Sequence, residues 1–186
     1  MKYKNVKAFI FLYLFVILIC SNSWAALAPA ETDEFNGQDA PNFSVQTING
    51  RTISLNDYKG HPVLLNFFAS WCPPCRAEIG ELMKIDEKYT PSGLAIIGAA
   101  TDSKLIPETK KDRERKDVLD LLKRLKIPYP VTIADENLID LYKFKGIPTT
   151  VFITGDGKIA KVFYGYHDAK QLEDIIETFL IAEKTG

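Results

Sequence analysis

The chain has 186 residues, 46% of them hydrophobic and 25% charged, with a formal net charge of −1. That composition suits one globular domain with a core of its own. The near-neutral balance argues against a nucleic-acid partner, whose phosphates call for a marked basic excess; no fixed-period repeat or low-complexity tract is present.

The chain opens on an export segment. Lys2, Lys4 and Lys7 form a basic start, Ala8 to Cys20 run apolar without a charge, and Ser23-Trp24-Ala25 supply small residues before Ala26. This is the order of a secretory signal, with cleavage expected after Ala25. The 13-residue apolar run is short against the roughly 20 residues of a full membrane span. An uncleaved anchor is the alternative, and a lipid-modified Cys20 is disfavoured by the large Ile19 before it. The division expected is therefore 1–25 signal peptide or anchor, 26–37 linker and 38–186 folded domain. Loss of residues 1–25 removes three lysines and no acid, moving the formal charge from −1 to −4. Residues 29–40 are polar and small, as a connecting stretch should be.

Phe43–Thr47 and Thr52–Leu55 alternate apolar and polar residues around Asn49-Gly50, a hairpin signature. Pro62–Ala69 is almost continuously apolar, as a strand buried on both faces should be. A helix is predicted over Pro73–Tyr89 and a buried strand over Leu94–Ala99. Residues 102–117 are dense in mixed charge and read as a solvated loop running into a helix. Val118, Leu119, Leu121, Leu122 and Leu125 give that helix its apolar face, and Pro128 and Pro130 end it. A short helix is expected over Asn137–Phe144. A strand follows at Thr150–Ile153, then a turn at Gly155-Asp156-Gly157 and an antiparallel return over Lys158–Tyr164. The last helix starts at Asp168, a cap with Gln171 three residues on; Ala169, Leu172, Ile175, Ile176, Phe179 and Leu180 form its inner face. The whole is an α/β arrangement with a mixed sheet.

Only Cys72 and Cys75 lie beyond the export segment. A bridge between residues three apart closes almost no loop and staples little, so the pair reads as chemistry rather than scaffold. Trp71-Cys72-Pro73-Pro74-Cys75 follows the buried strand and opens a helix, with Cys72 at the cap and Pro73 at the first helical position, where proline is favoured. Free N–H groups and the dipole at a helix N-terminus stabilise a thiolate. Cys72 is therefore the expected nucleophile, and the more enclosed Cys75 the resolving thiol. Pro73 and Pro74 carry no N–H, which leaves the thiolate fewer donors and favours a reducing pair. A zinc site would need four ligands; His61 and His167 sit at spacings of no familiar finger and read as loop or surface residues. No metal or cofactor is called for.

These features resemble the thioredoxin superfamily, and within it the TlpA/ResA group of exported thiol–disulfide oxidoreductases. The resemblance covers about residues 38–182. It is carried by Ala40-Pro41-Asn42-Phe43, the Val63–Ala69 strand, Trp71–Glu78 and Gly146-Ile147-Pro148-Thr149-Thr150. It implies a thioredoxin-like fold, a central mixed β-sheet flanked by helices with an N-terminal β-hairpin extension. It also implies a cis peptide bond before Pro148, beside the cysteines, with the main chain of Ile147 left to pair with a client. Trp71, Ile147 and Pro148 form the client-contacting surface, and Trp71 is expected to pack over one side of the disulfide. Where many thioredoxins carry a buried aspartate, this chain has Asn66. Glu78 matches a glutamate common in the group and is the candidate proton acceptor for Cys75, against a reading as an exposed helical residue. Gly80 stands where the group often has proline.

The resemblance further implies reduction of specific client disulfides, such as those of apocytochrome c, with electrons from a membrane thiol–disulfide carrier. Client proteins would present disulfides or thiols outside the cytoplasm. A peroxiredoxin would need threonine where Ala69 stands. A Sco-type copper chaperone would need three residues between its cysteines. A disulfide-donating oxidase and a redox-inert peptide-binding module are the remaining alternatives.

Overall fold

The computed structural model describes residues 37–102, 111–143 and 145–185. The export segment, most of the linker and residues 103–110 of the charged stretch lie outside the described residues. The elements are β1 (Ser44–Gln46), β2 (Thr52–Ser54), β3 (Val63–Phe68), α1 (Pro73–Tyr89), β4 (Ala95–Ala100), α2 (Lys111–Leu125), β5 (Val131–Ile133), α3 (Glu136–Tyr142), β6 (Thr149–Ile153), β7 (Ile159–Tyr164) and α4 (Ala169–Thr185).

Five strands form one mixed sheet in the order β5-β4-β3-β6-β7. β3, β4 and β5 run parallel, while β6 and β7 run antiparallel to their neighbours. The apolar run over β3 is buried at every position because layers cover both faces of the sheet. Leu64 and Phe68 join Ile79, Leu82, Leu121, Leu172 and Ile176 on one face. Val63, Leu65 and Phe67 join Phe43, Ile53, Leu138, Ile139 and Tyr142 on the other. Asn66 shares the side of Leu64 and Phe68, since alternate residues of a strand point the same way. A polar side chain is thereby set in an apolar layer under α1.

The hairpin β1–β2 is a separate two-stranded sheet, turned at Gly50 with φ +86°, where a side chain would be strained. It covers the β5 edge: Thr47 bridges Thr132, and Ile48 N–H donates to Val131 O at 2.8 Å. This closes an edge that would otherwise offer unpaired main chain. Gly37–Ala40, the end of the expected linker region, pairs with the β6–β7 turn through Gly37 N–H to Ile159 O and Ala40 N–H to Gly157 O, both 2.8 Å.

Several element bounds differ from the sequence reading by a residue or two, and the following differences have a physical reason. β5 has only three residues between Pro130 and the Asp135 cap, too few to show a period, and was not anticipated. α2 begins inside the charged stretch, at Lys111, because its charged residues precede the apolar stripe on one continuous helix. α3 starts one residue earlier than expected, where the Asp135 carboxylate accepts Leu138 N–H at 2.8 Å. The anticipated cap of α4 is present: Asp168 N–H donates to Gln171 Oε1 at 2.9 Å and Gln171 N–H to Asp168 Oδ1 at 2.8 Å.

Candidate active site

β3 delivers the chain to the site, and α1 begins there. Cys72 caps α1 in an extended conformation, and Pro73 and Pro74 fill the first two helical positions. Cys72 and Cys75 form a disulfide with their Cα atoms 5.3 Å apart. Cys75 N–H donates to Cys72 Sγ at 3.3 Å. Because the two prolines have no N–H, this is the first donor α1 offers. Both cysteines are buried. Trp71, expected to pack, stands 51% exposed beside them. Its place just before the helix cap turns it outward while Cys72 turns in.

The turn before Trp71 is tied down by Asp102, at the end of β4. The Asp102 carboxylate accepts Ser70 N–H on both oxygens, at 3.1 and 3.0 Å, and the Ser70 hydroxyl on Oδ1. Arg76 Nη1 donates to Ser70 O at 3.0 Å. Burial raises the Asp102 pKa above 3.8, and the hydrogen bonds from Ser70 oppose the shift.

Glu78 is 1% exposed. It lies one turn beyond Cys75 on the inward face of α1, so the exposed alternative does not hold. Its two oxygens are divided. Oε2 accepts Asn66 Nδ2 at 2.9 Å, and Oε1 accepts the backbone N–H of His167 at 3.0 Å. Asn66 Nδ2 also donates to Thr150 Oγ1 at 2.8 Å. A polar thread of Thr150, Asn66, Glu78 and His167 thus crosses the interface between sheet and helix. Each member has a partner, as buried polar groups must.

The peptide bond between Ile147 and Pro148 is cis. Pro148 O accepts Gly165 N–H at 2.8 Å, and pairing of β6 with β3 begins at Thr149. Among the described residues no group of three or more His, Cys, Asp or Glu could hold a metal ion.

The structure brings Cys72, Cys75, Glu78 and Trp71 together on one loop and helix, with Ile147 and Pro148 on the strand-leading segment of β6. Asp102, Thr150 and His167 were missed by sequence reasoning. Asp102 looked like the first residue of a solvated charge run. Thr150 and His167 reach Asn66 and Glu78 across 84 and 89 positions, a proximity no local pattern carries.

A strand, a Cys-Pro-Pro-Cys turn at a helix start and a cis proline beside the sheet form a redox constellation. Residues 36–162 match the model of the AhpC/TSA family. The chain belongs to that family. Within it, the chain is 32% identical to the thiol-disulfide oxidoreductase ResA of Bacillus cereus over 76% of each protein. It is 27% identical to ResA of Bacillus subtilis over 98% of this chain and 99% of the relative. A solved thiol:disulfide interchange protein of the thioredoxin family from Chlorobium tepidum superposes with a TM-score of 0.67 at 28% identity, covering 77% of this chain and 96% of that one. The chain is a thiol–disulfide oxidoreductase with a thioredoxin-like fold.

Proposed function

We propose that this family member reduces disulfides of specific client proteins outside the cytoplasm. The observation that carries the reading is the Cys72–Cys75 disulfide at the start of α1, where Cys72 Sγ takes Cys75 N–H and two prolines remove the other early donors. Fewer donors leave a thiolate less stabilised. A less stabilised dithiol gives up its electrons more readily.

In the forward reaction the Cys72 thiolate attacks one sulfur of a client disulfide and releases the other client sulfur as a thiolate. Cys75 then loses its proton to Glu78 and attacks Cys72 Sγ. The second client thiolate leaves, and the Cys72–Cys75 disulfide remains. Two electrons pass to the client, and a membrane thiol–disulfide carrier restores the dithiol. Exposed Trp71, with Ile147 and Pro148, is the surface on which an extended client lies. Apocytochrome c is the client class implied by the TlpA/ResA resemblance. Export is supported by the basic start, apolar run and small residues of positions 1–25. No helix among the described residues is long and apolar enough to cross a membrane.

The test is the reduction potential of the Cys72–Cys75 pair, by equilibration with glutathione or dithiothreitol. A value near or below about −270 mV supports a reductase, whereas one near about −120 mV makes the protein a disulfide donor and refutes the reductive role. A pair that exchanges with neither couple refutes redox function and leaves the peptide-binding module.

A further inference from the structure

His167 does more than give Glu78 a backbone N–H. Its ring Nδ1 lies 3.7 Å from Glu78 Oε1, the same oxygen that its main chain reaches. Nδ1 is also 2.9 Å from Gly165 O, and a carbonyl oxygen only accepts, so Nδ1 carries a hydrogen. Nε2 is then the nitrogen that gains and loses a proton. The His167 side chain is 21% exposed while that of Glu78 is 1% exposed, so the imidazole touches water and the carboxylate does not. Phe163 braces the ring with centroids 5.5 Å apart.

The charged groups around it are few. From α1 come Glu78 and Glu81, the latter held by Lys84 Nζ at 2.8 Å and Ala169 N–H at 3.2 Å. From β7 comes Lys161, whose charge opposes protonation of the ring. On its own segment Asp168 is engaged with Gln171. Their net effect is to raise the His167 pKa above 6.5, chiefly through Glu78, with Gly165 O assisting and burial opposing.

We propose that His167 is the solvent-side proton partner of Glu78, carrying protons between water and the buried carboxylate that serves Cys75. This rests on the role proposed for Glu78. When an incoming dithiol reduces the Cys72–Cys75 disulfide, Cys75 leaves as a thiolate and must gain a proton. Glu78 gives it; His167, neutral with its hydrogen on Nδ1, refills Glu78 through Nδ1–H while Nε2 takes a proton from water, and exchange with water then returns the ring from the Nε2–H to the Nδ1–H tautomer. A swing of ~1 Å brings the 3.7 Å separation to hydrogen-bond length. Oxidation of the dithiol runs the same transfers backward, so no proton or electron is left over.

Substitution separates the two contacts, because any residue but proline at 167 keeps the N–H that Glu78 accepts. In the full chain, His167→Ala should slow reduction of the disulfide by dithiothreitol by about tenfold, less than the roughly 10²–10⁴ of a group acting on the reacting atoms. Free imidazole in the buffer should restore the rate, a response that a packing role would not give. In the wild-type protein, the His167 ring signals in a proton NMR titration should move at a pH above 6.5, and return toward that value in Glu78→Gln. An unchanged rate in His167→Ala, a loss that imidazole does not restore, or an ordinary His167 titration in the native protein overturns the relay. Glu78→Gln tells the readings apart. If it reacts as fast as wild type, the role of Glu78 fails and the relay with it. If Glu78→Gln is slow and His167→Ala is not, the relay alone fails.

Discussion

Asn66→Leu tests the polar thread beneath the disulfide. Leucine keeps the branched heavy-atom outline of asparagine but is bulkier, so the change removes two hydrogen bonds, leaves no cavity and adds some crowding to the loss. One bond goes to Glu78 Oε2 at 2.9 Å and the other to Thr150 Oγ1 at 2.8 Å. Asn66, Glu78 and Thr150 are each 1% exposed, so water cannot replace either partner. A hydrogen bond to a charged group contributes about 1.5–3 kcal/mol and a neutral one about 0.5–1.5, giving a loss of about 2–4.5 kcal/mol. For a folding unit of this size each kcal/mol lowers Tm by about 2–4 °C. Urea unfolding of the oxidised protein would measure it, with the slope m checked for constancy. Glu78→Met removes the other partner, and the double variant should cost less than the two singles together by about 1.5–3 kcal/mol. If Asn66→Leu falls within about 0.5 kcal/mol of wild type, or if the two changes simply add, the thread does not hold the carboxylate.

Tyr129→Phe should leave stability unchanged or raise it by up to about 1 kcal/mol in the same urea assay, because its buried hydroxyl has no partner among the described residues and an unpaired buried donor is costly. Asp102→Ala, which leaves no acceptor for Ser70, should lower stability at neutral pH by about 1–3 kcal/mol through the lost Ser70 bonds. It should also flatten the pH dependence. Since burial raises the Asp102 pKa, the folded state holds that proton more tightly, and wild-type stability falls as pH climbs from 3.8 through the raised value. For His167 the sign follows from a base with a raised pKa. Its contribution is fully present below about pH 6.5 and lost as pH rises through the folded value, so the stability gap between wild type and His167→Asn should close toward alkaline pH.

The elements legible in the sequence are those with a long or repeated local signal. β3 announced itself by an unbroken apolar run, α1 by Pro73 after a capping residue, and the hairpin by Asn49-Gly50. The cysteine pair was legible because the motif and its place between strand and helix agree. The cis bond at Pro148 was legible only through resemblance, since proline before a strand has an ordinary reading as well. β5 escaped because three residues between prolines and a cap leave no period to count. Trp71, expected to cover one side of the disulfide, stands half exposed beside the two buried cysteines, where the backbone path at the helix cap puts it. His167 and Asp102 escaped for a deeper reason. What each does is set by a partner in another element, and in the sequence both look like polar residues facing solvent.

The placement of Asn66 explains why the site can keep its acid on the helix. An acid on β3 at position 66 would have Thr150 and α1 for neighbours and no contact with solvent. On α1, Glu78 still meets β3 through the Asn66 amide, yet its other oxygen faces the segment leading into α4, where main chain and a half-buried imidazole converge. The amide fixes one oxygen without competing for a proton, because an asparagine NH2 donates at any pH. The other oxygen is left on the side of His167, the proposed proton partner. Thr150 closes the thread only two residues after Pro148 on β6, so the loop proposed to meet the client and the carboxylate proposed to serve Cys75 share one strand as their support.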